Sequence, residues 1–333
     1  MPASADPPLF PCPDLLVSRC LGLDTCRYDG QFQDNALVAG LRPHVRLLPV
    51  CPETACGLPT PRPPIWCCQV GKKMVIYQPE TGRDLTDQLQ QAIDAILAAH
   101  PDIDGAILKS RSPSCGLYDT KIYSGLDLEE ATTRGAGLFG QQLLHRFPDQ
   151  AIEDEARLLD PVVREHFLLR LFTLARFRLA TRQENPDSAA HAFHATHHLL
   201  LAAWNPARCH RAATFTTDQQ KLAGERLVSY RDELGRLLAA PPHRPGIAAA
   251  LLHCLAPLTR RLDAQSSLAI RQAIDSYRSG RTSLHTPGRL LEAAARNANL
   301  CAPAEQMLFH PYPRALAADA TDADNADDPA DRA

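Results

Sequence analysis

Three cysteines that follow apolar segments are the residues of this chain best suited to carry chemistry. Cys20, Cys51 and Cys115 each come at or just beyond the end of such a segment. The three segments are DLLVS at 14–18, VRLLPV at 45–50 and DGAIL at 104–108. Iron binds thiolates in cluster form, and a four-iron cube has four corners to fill. Three cysteines would leave one iron open, and such an iron is a Lewis acid with affinity for soft sulfur donors.

The spacing of these cysteines leaves a second role open. The sequence contains no CxxC pair, the spacing that a zinc site would more often show. Free cysteine is also among the most frequently buried residue types and packs as a small hydrophobe. From spacing alone, a ligand role and simple burial near strand ends are equally supported.

Two neighbouring residues shift this balance toward a metal site. Glu53 stands two residues after Cys51, so its carboxylate can reach a substrate held on a metal and act as a general base or acid. Its alternative role is to cap a backbone amide of the loop. Ser112 opens a turn, residues 112–116, that is rich in hydroxyl and N–H groups. These groups can bond cluster sulfurs or a polar ring, or they can satisfy the backbone of the turn itself.

The elements that must position these residues are strands interleaved with helices. This alternation predicts a parallel α/β sheet of the Rossmann-like kind, in which sites form beyond the carboxyl ends of the strands. Residues 84–100 are predicted to form an amphipathic helix between the second and third strands, with Thr86 as its N-cap. Its apolar positions recur at intervals of three and four residues and are Leu85, Leu89, Ile93, Ile96 and Leu97.

The second half of the chain has a different pattern. From about Pro161 onward the hydrophobic residues recur with helical periods only. Four helices are indicated, around residues 163–174, 191–204, 227–237 and 251–262. We therefore expect an iron–sulfur domain over 1–150, a junction near residues 147–160 and an all-α domain over 158–316. Residues 317–333 are rich in aspartate and are predicted to form a disordered tail.

The bulk composition limits the partners of the protein. A length of 333 residues suggests two domains, and a net charge of −3 gives no basic excess that would indicate a nucleic acid duplex as partner. No segment reaches the roughly 18–20 apolar residues that a membrane helix needs, and the first residues lack the features of a secretory signal. We therefore expect a cytoplasmic protein whose eleven cysteines stay reduced. The oligomeric state stays open.

Five sequence blocks surround the residues named above. They are VSRCLG at 17–22, CRYDG at 26–30, PVCPE at 49–53, GLPTPR at 57–62 and ILKSRSPSCG at 107–116. In order and spacing these blocks resemble the thiouracil desulfidase (TudS) family over roughly residues 14–145. The C-terminal half is similar to the helical YbgA-type domain, through YRSG at 277–280 and PYP at 311–313.

The resemblance implies a cofactor, a reaction and roles for the site residues. The cofactor would be a [4Fe-4S] cluster held by Cys20, Cys51 and Cys115. The reaction would be the non-redox removal of sulfur from 2-thiouracil, a thiolated pyrimidine, to give uracil and sulfide. Glu53 would serve in acid/base catalysis, assisting water in its attack on the ring carbon, and Ser112 would contact the substrate. Whether the physiological substrate is a free base or a thionucleoside stays open.

Three further cysteines receive separate interpretations. Cys26 could be a fourth ligand, which would leave no iron open to a substrate. We expect a structural role instead, because the resemblance implies that members of the family can carry other residues at this position. Cys67 and Cys68 are adjacent, and adjacent thiols do not ordinarily bind one cube side by side. We therefore expect both of them to be buried.

Three histidines of the second half also share a pattern that could bind a metal. His191, His194 and His198 fall on one face of a helix, and the last two have the i, i+4 spacing found in zinc-binding helices. No glutamate stands between them as in HExxH, and the same face carries the packing surface of the helix. We therefore expect a packing role for them.

Two other functions compete with desulfuration. One is a non-catalytic sensor or interaction module whose cluster reports oxygen or iron to a partner docked on the helical half. The other is a cysteine-nucleophile hydrolase or sulfurtransferase with Cys115 as nucleophile. That chemistry needs a base, usually histidine. The nearest histidines in sequence are His44 and His100, which lie outside the cysteine motifs.

Overall fold

The structure is a computed structural model. It describes residues 10–126, 131–183, 185–217, 223–241, 243–298 and 306–317. The chain divides between Ala175 and Arg176 into two compact units. Of the predicted acidic tail, only Ala317 lies within the described residues.

In the part of the chain that the structure describes, the strands lie in the first unit, together with four α-helices and most of a fifth. The strands are β1 (Asp14–Ser18), β2 (Arg46–Val50), β3 (Trp66–Val70), β4 (Lys73–Gln78), β5 (Arg83–Asp84), β6 (Gly105–Leu108), β7 (Thr120–Ser124), β8 (Ala131–Gly135) and β9 (Ala151–Asp154). The helices are α1 (Ala36–Leu41), α2 (Pro52–Ala55), α3 (Thr86–Ala99), α4 (Leu138–Arg146) and α5 (Pro161–Thr181), of which α5 crosses the division between the units.

A parallel sheet in the order β2-β1-β6-β9 carries the cysteine motifs. Strand β1, one of its two inner strands, is buried along its whole length, as the apolar run Leu15–Val17 at its centre predicts. Ser18 of β1 pairs with Val50 of β2, so the carboxyl ends of the two strands are level. The predicted strands and their parallel α/β arrangement are confirmed. The fourth strand, β9, lies inside the segment that the sequence indicated as a junction.

A second, mixed sheet in the order β5-β4-β3-β7-β8 was not predicted. Strand β3 pairs antiparallel with β4 and parallel with β7, which lies about fifty residues further along the chain. Cys67 and Cys68 lie in β3 and are fully buried, which confirms the burial expected of them.

Helix α3 forms where its apolar periodicity indicated, with Leu89, Ala92 and Ile93 buried in the core. The prediction that Thr86 caps this helix is wrong, because Leu85 is the N-cap residue and Thr86 is the first helical residue. The Thr86 hydroxyl instead donates to Asp84 at 2.6 Å and accepts the backbone N–H of Ile76 at 2.9 Å. The hydroxyl of Thr86 therefore links the start of α3 to strand β4 by a hydrogen bond.

The second unit is helical in its described residues, which confirms the predicted change of fold class. Its helices are α6 (Pro186–Trp204), α7 (Pro206–Thr217), α8 (Ala223–Leu238), α9 (Arg244–Leu255), α10 (Ala264–Arg278) and α11 (His285–Asn297). Helix α6 packs against α7, α8 and α9. The predicted helix over 251–262 ends earlier, at Leu255, and α7, α10 and α11 were not predicted. Among the described residues, no helix is both long enough and apolar enough to span a bilayer.

Candidate metal centre

A cavity of about 550 Å³ lies beyond the carboxyl ends of β1, β2 and β6. The five site residues predicted from the sequence all line it and come from three distant parts of the chain; they are Cys20, Cys51, Glu53, Ser112 and Cys115. The lining residues include Ser18, Cys20, Cys26, Arg27, Tyr28, Cys51, Glu53, Arg62, Pro64, Ile65, Ser112, Ser114 and Cys115. The observed position agrees with the general rule for parallel sheets, which places sites at the carboxyl edge.

Cys20 and Cys51 are held by the ends of two neighbouring strands. The backbone N–H of Arg19 donates to the carbonyl of Val50 at 2.8 Å, which continues the β1–β2 hydrogen bonding beyond Ser18. Cys51 follows Val50 directly and is the extended N-cap residue of α2. Both thiols therefore leave the sheet at the same edge, and both are half-buried.

Cys115 is buried in the turn that follows β6. The hydroxyl of Ser18 accepts the backbone N–H of Lys109 at 2.9 Å and is also hydrogen-bonded to the Cys115 thiol. The Ser112 hydroxyl accepts the backbone N–H groups of Cys115 at 3.0 Å and of Ser114 at 3.3 Å. Burial raises the pKa of Cys115 to about 12. Ser112 thus satisfies its own turn, one of the two roles considered for it, while it also lines the cavity.

Cys26 lies between two of the expected ligands. Its thiol is hydrogen-bonded to Cys20 and Cys51, and the contact with Cys20 raises the pKa of Cys26 to about 11. The contact between Cys26 and Cys51, together with burial, raises the pKa of Cys51. Four thiols therefore face one cavity.

Glu53 is a buried carboxylate held by two side chains. Arg62 donates to Oε2 through Nη2 at 2.6 Å and through Nε at 2.9 Å, and the Ser114 hydroxyl donates to Oε1 at 2.7 Å. Arg62 is itself buried and also donates to the backbone carbonyl of Cys26 at 3.1 Å. These contacts connect Glu53 to the loop of Cys26 and to the turn of Cys115. They differ from the backbone-capping role considered from the sequence.

Arg62 and Ser114 are the site residues that the sequence reasoning missed. Both stand inside the motifs quoted above, but Arg62 received no role and Ser114 was considered only as part of its turn. Arg62 lies nine residues after Glu53, a spacing with no meaning in a helix or strand. The only available signal was composition, because an arginine within an apolar, proline-rich segment is unusual and requires a buried partner.

Two glycines near α4 allow the turn of Cys115 to sit directly on that helix. The backbone N–H groups of Gly137 and Phe139 donate to the carbonyls of Gly116 and Ser114 at 2.8 and 2.9 Å. A Cβ added at Gly140 would lie 2.2 Å from the Gly116 carbonyl oxygen, which is well inside van der Waals contact. Close backbone approach therefore explains glycine at this position.

We expect Gly140→Ala to displace the turn that carries Cys115. Overpacking of this kind costs about 1–3 kcal/mol of stability, and the shifted thiol should retain less iron after anaerobic reconstitution. Unfolding in urea can be followed through the fluorescence of Trp66 in a Trp204→Phe background, since the chain has two tryptophans. The matched control is Gly40→Ala in α1, where an added Cβ would meet nothing within 4 Å. Equal iron content and equal unfolding midpoints in the two variants would contradict this expectation.

Comparison with known proteins identifies two families along the chain. Residues 15–155 match the family model of the 2-thiouracil desulfurases, and residues 198–313 match DUF1722, a family of unknown function. The uncharacterized protein YbbK of Bacillus subtilis (strain 168) is 31% identical over 118 residues, which cover 33% of this chain and 77% of YbbK. A solved structure of the [4Fe-4S]-dependent thiouracil desulfidase TudS is 33% identical, with a TM-score of 0.36. The match covers 44% of this chain and 93% of that one.

Proposed function

The chain belongs to the 2-thiouracil desulfurase family, and from this premise we propose that it removes the sulfur of a thiolated pyrimidine, giving the oxo-pyrimidine and sulfide. The observation that carries the proposal is the convergence of Cys20, Cys51, Cys115 and Glu53 on one cavity. A volume of about 550 Å³ lies within the range of roughly 300–1,000 Å³ typical of small-molecule sites. The cavity therefore suits a single heterocycle such as 2-thiouracil.

We infer that Cys20, Cys51 and Cys115 hold a [4Fe-4S] cluster, the group on which the TudS enzyme depends. The donor set fits this group, because three thiols from three separate strand ends open into one cavity and thiolates are the usual ligands of such clusters. When bound with one iron free of protein ligands, the cluster supplies a Lewis acid for a soft thione sulfur.

Glu53 is the group we assign to the activation of water. A carboxylate offers about four lone-pair positions, two on each oxygen. Arg62 fills both positions on Oε2, and Ser114 fills one on Oε1. One position on Oε1 is left for a water molecule in the cavity. Glu53 can therefore orient that water toward the ring carbon and hold its proton at Oε1.

The remaining lining residues suit the binding of a flat polar ring. Tyr28, Pro64 and Ile65 provide an apolar wall on which a pyrimidine can lie. The Ser112 hydroxyl lies 3.1 Å from the Ser114 hydroxyl, and it accepts two backbone N–H groups. The Ser112 hydroxyl can therefore rotate to donate its hydrogen bond to an oxygen or nitrogen of the ring instead of to Ser114. We assign Ser112 this contact with the substrate, as the family resemblance implies.

The competing cysteine-nucleophile function is disfavoured by two observations. Cys115 is buried, which limits the access of a substrate carbon or sulfur to its thiol. The described residues that line the cavity include no histidine to serve as the base. Glu53, the acidic group of this lining, is already engaged by Arg62 and Ser114.

The proposal is tested with the full chain, loaded with iron and sulfide under anaerobic conditions. We expect the brown loaded protein to convert 2-thiouracil to uracil and sulfide in equal amounts, without an added reductant, and the metal-free protein to be inactive. Liquid chromatography of the pyrimidines and a sulfide assay provide the measurement. An iron-loaded protein that releases no sulfide would favour the sensor function. A colourless protein with undiminished activity would favour the nucleophile.

A further inference from the structure

Two histidines and a cysteine of the helical unit lie together, apart from the cavity described above. His194 and His198 are one turn apart on α6, and Cys209 lies on α7. The Cys209 sulfur is 3.9 Å from Nε2 of His194 and 3.7 Å from Nδ1 of His198. One ligand atom from each residue lies within 4.8 Å of the other two. We refer to these three residues as the His₂Cys cluster.

The two sulfur–nitrogen separations in the His₂Cys cluster are close to those of a tetrahedral metal site. Zinc binds thiolate sulfur at about 2.3 Å and imidazole nitrogen at about 2.0–2.1 Å, so that sulfur and nitrogen on one ion are about 3.6 Å apart. The observed 3.7 and 3.9 Å need a change of only a few tenths of an ångström. As hydrogen bonds between a thiol and an imidazole, by contrast, these contacts are long, and thiols are weak donors.

The hydrogen bond between His194 and Tyr230 is compatible with the tautomer that binds a metal. Its Nδ1 lies 3.1 Å from the hydroxyl of Tyr230, a buried residue of α8. When Nδ1–H donates to that oxygen, Nε2 keeps its lone pair and faces Cys209. A supporting hydrogen bond to the nitrogen that does not face the metal is typical of zinc-bound histidine.

The cluster also borders open space. His194 and His198 line a cavity of about 750 Å³, together with His253, Cys254 and Gln306. Two of the three proposed ligands thus face a cavity that can supply a fourth position for water or another exchangeable ligand, the arrangement of zinc sites that are not purely structural.

We propose that His194, His198 and Cys209 form a zinc site with an exchangeable fourth ligand in the helical unit. One thiolate and two imidazoles are ligands that suit zinc. The site revises the packing role that the sequence indicated for His194 and His198. The third histidine of that pattern, His191, is exposed and contacts Thr216 instead. The proposal concerns residues outside the cysteine cavity, so it stands or falls independently of the desulfidase function.

The test is a zinc count and a cobalt titration on the full chain, purified without oxygen. We expect about one zinc per chain, and a thiolate-to-cobalt charge-transfer band when Co²⁺ replaces it. Cys209→Ser should abolish that band. His198→Gln changes an exposed position, so we expect the variant to fold. It should weaken zinc binding by about 100-fold or more, because loss of a residue that only supports a ligand already weakens metal binding by roughly 10–100-fold.

Two controls separate zinc binding by the His₂Cys cluster from zinc binding elsewhere in the chain. His253→Gln changes an exposed histidine of the same cavity that lies outside the cluster, and it should leave zinc binding unchanged. Cys115→Ala should lose iron but keep zinc, whereas Cys209→Ser should keep iron and lose zinc. Zinc binding that is equal in the wild-type protein, Cys209→Ser and His198→Gln would overturn the proposal, as would a cobalt spectrum without the thiolate band.

Discussion

Glu53→Gln is expected to lower the rate of sulfide release from 2-thiouracil by about 10²- to 10⁴-fold, the range that a positioned general base contributes. Iron content and brown colour should stay at the wild-type level, because Glu53 is not among the expected ligands. Glutamine keeps the shape of the side chain: its carbonyl oxygen can still accept from Arg62, and its NH2 group can donate to the Ser114 hydroxyl. It cannot hold a proton taken from water, so the change isolates the chemical step.

The expected separation of activity from iron content depends on the surroundings of Glu53. Removing one partner from a buried ion pair ordinarily costs about 3–5 kcal/mol, because the other charge is left without compensation. Here Arg62 also donates to the carbonyls of Cys26 and Pro59. It therefore keeps partners in Glu53→Gln, and we expect the fold to survive. Circular dichroism on the same preparation checks this point.

The matched control for this variant is Glu80→Gln, which removes an equal charge from an exposed position outside the cavity. Its turnover should equal that of the wild-type protein. Glu53→Asp keeps the charge but shortens the side chain, so it should recover part of the lost rate. If Glu53→Gln turned over at the wild-type rate with its cluster intact, the assignment of water activation to Glu53 would fail, although the cluster assignment would remain.

The part of the site that could be predicted from the sequence is the part that follows strand ends. Strands β1, β2 and β6 are short apolar runs, and parallel strands bring their carboxyl ends to one edge. The sequence alone therefore predicts that Cys20, Cys51 and Cys115 lie close together. Glu53 was accessible to the same reasoning because it is only two residues from Cys51.

The second sheet escaped prediction for a local reason. Strand β7 reads TKIYS, in which polar residues interrupt the apolar pattern that marks a strand, and β4 reads KMVIYQ, whose four-residue apolar run is too short to distinguish a strand from a buried helical segment by periodicity. Their stability comes from pairing, such as Cys67 with Ile76 and with Ile122, and from burial of one face. Pairing between segments about fifty residues apart leaves no periodicity in either segment.

Contacts between distant polar residues were equally inaccessible. The bond between Glu53 and Ser114 spans 61 residues, and Cys209 meets His194 from a different helix. The helical period identified His194 and His198 as neighbours, but a third ligand on α7 depends on how two helices pack. Because the sequence alone does not show that Cys209 lies beside them, it favours a packing role for the histidines.

Single alanine substitutions at Cys20, Cys51 and Cys115 are expected to abolish iron binding, whereas Cys26→Ala is expected to retain the cluster. Each of the first three removes one of three thiolates, and the remaining two cannot hold a cluster that has no fourth protein ligand. The measurement is iron and acid-labile sulfide per chain after anaerobic reconstitution, with visible absorption as a second readout. Cys68→Ala and Cys12→Ser are the controls, for a buried and an exposed cysteine respectively.

The behaviour of Cys26→Ala decides between an open and a closed cluster. Cys26 is hydrogen-bonded to both Cys20 and Cys51, so proximity alone would allow it to act as a ligand. If it were the fourth ligand, each of the four irons would have a cysteine ligand, and no iron would be open to the sulfur of a substrate. Cys26→Ala would then resemble the other three variants in iron content, and the desulfidase proposal would fail. If Cys26 only supports its neighbours, the variant keeps its cluster and most of its turnover.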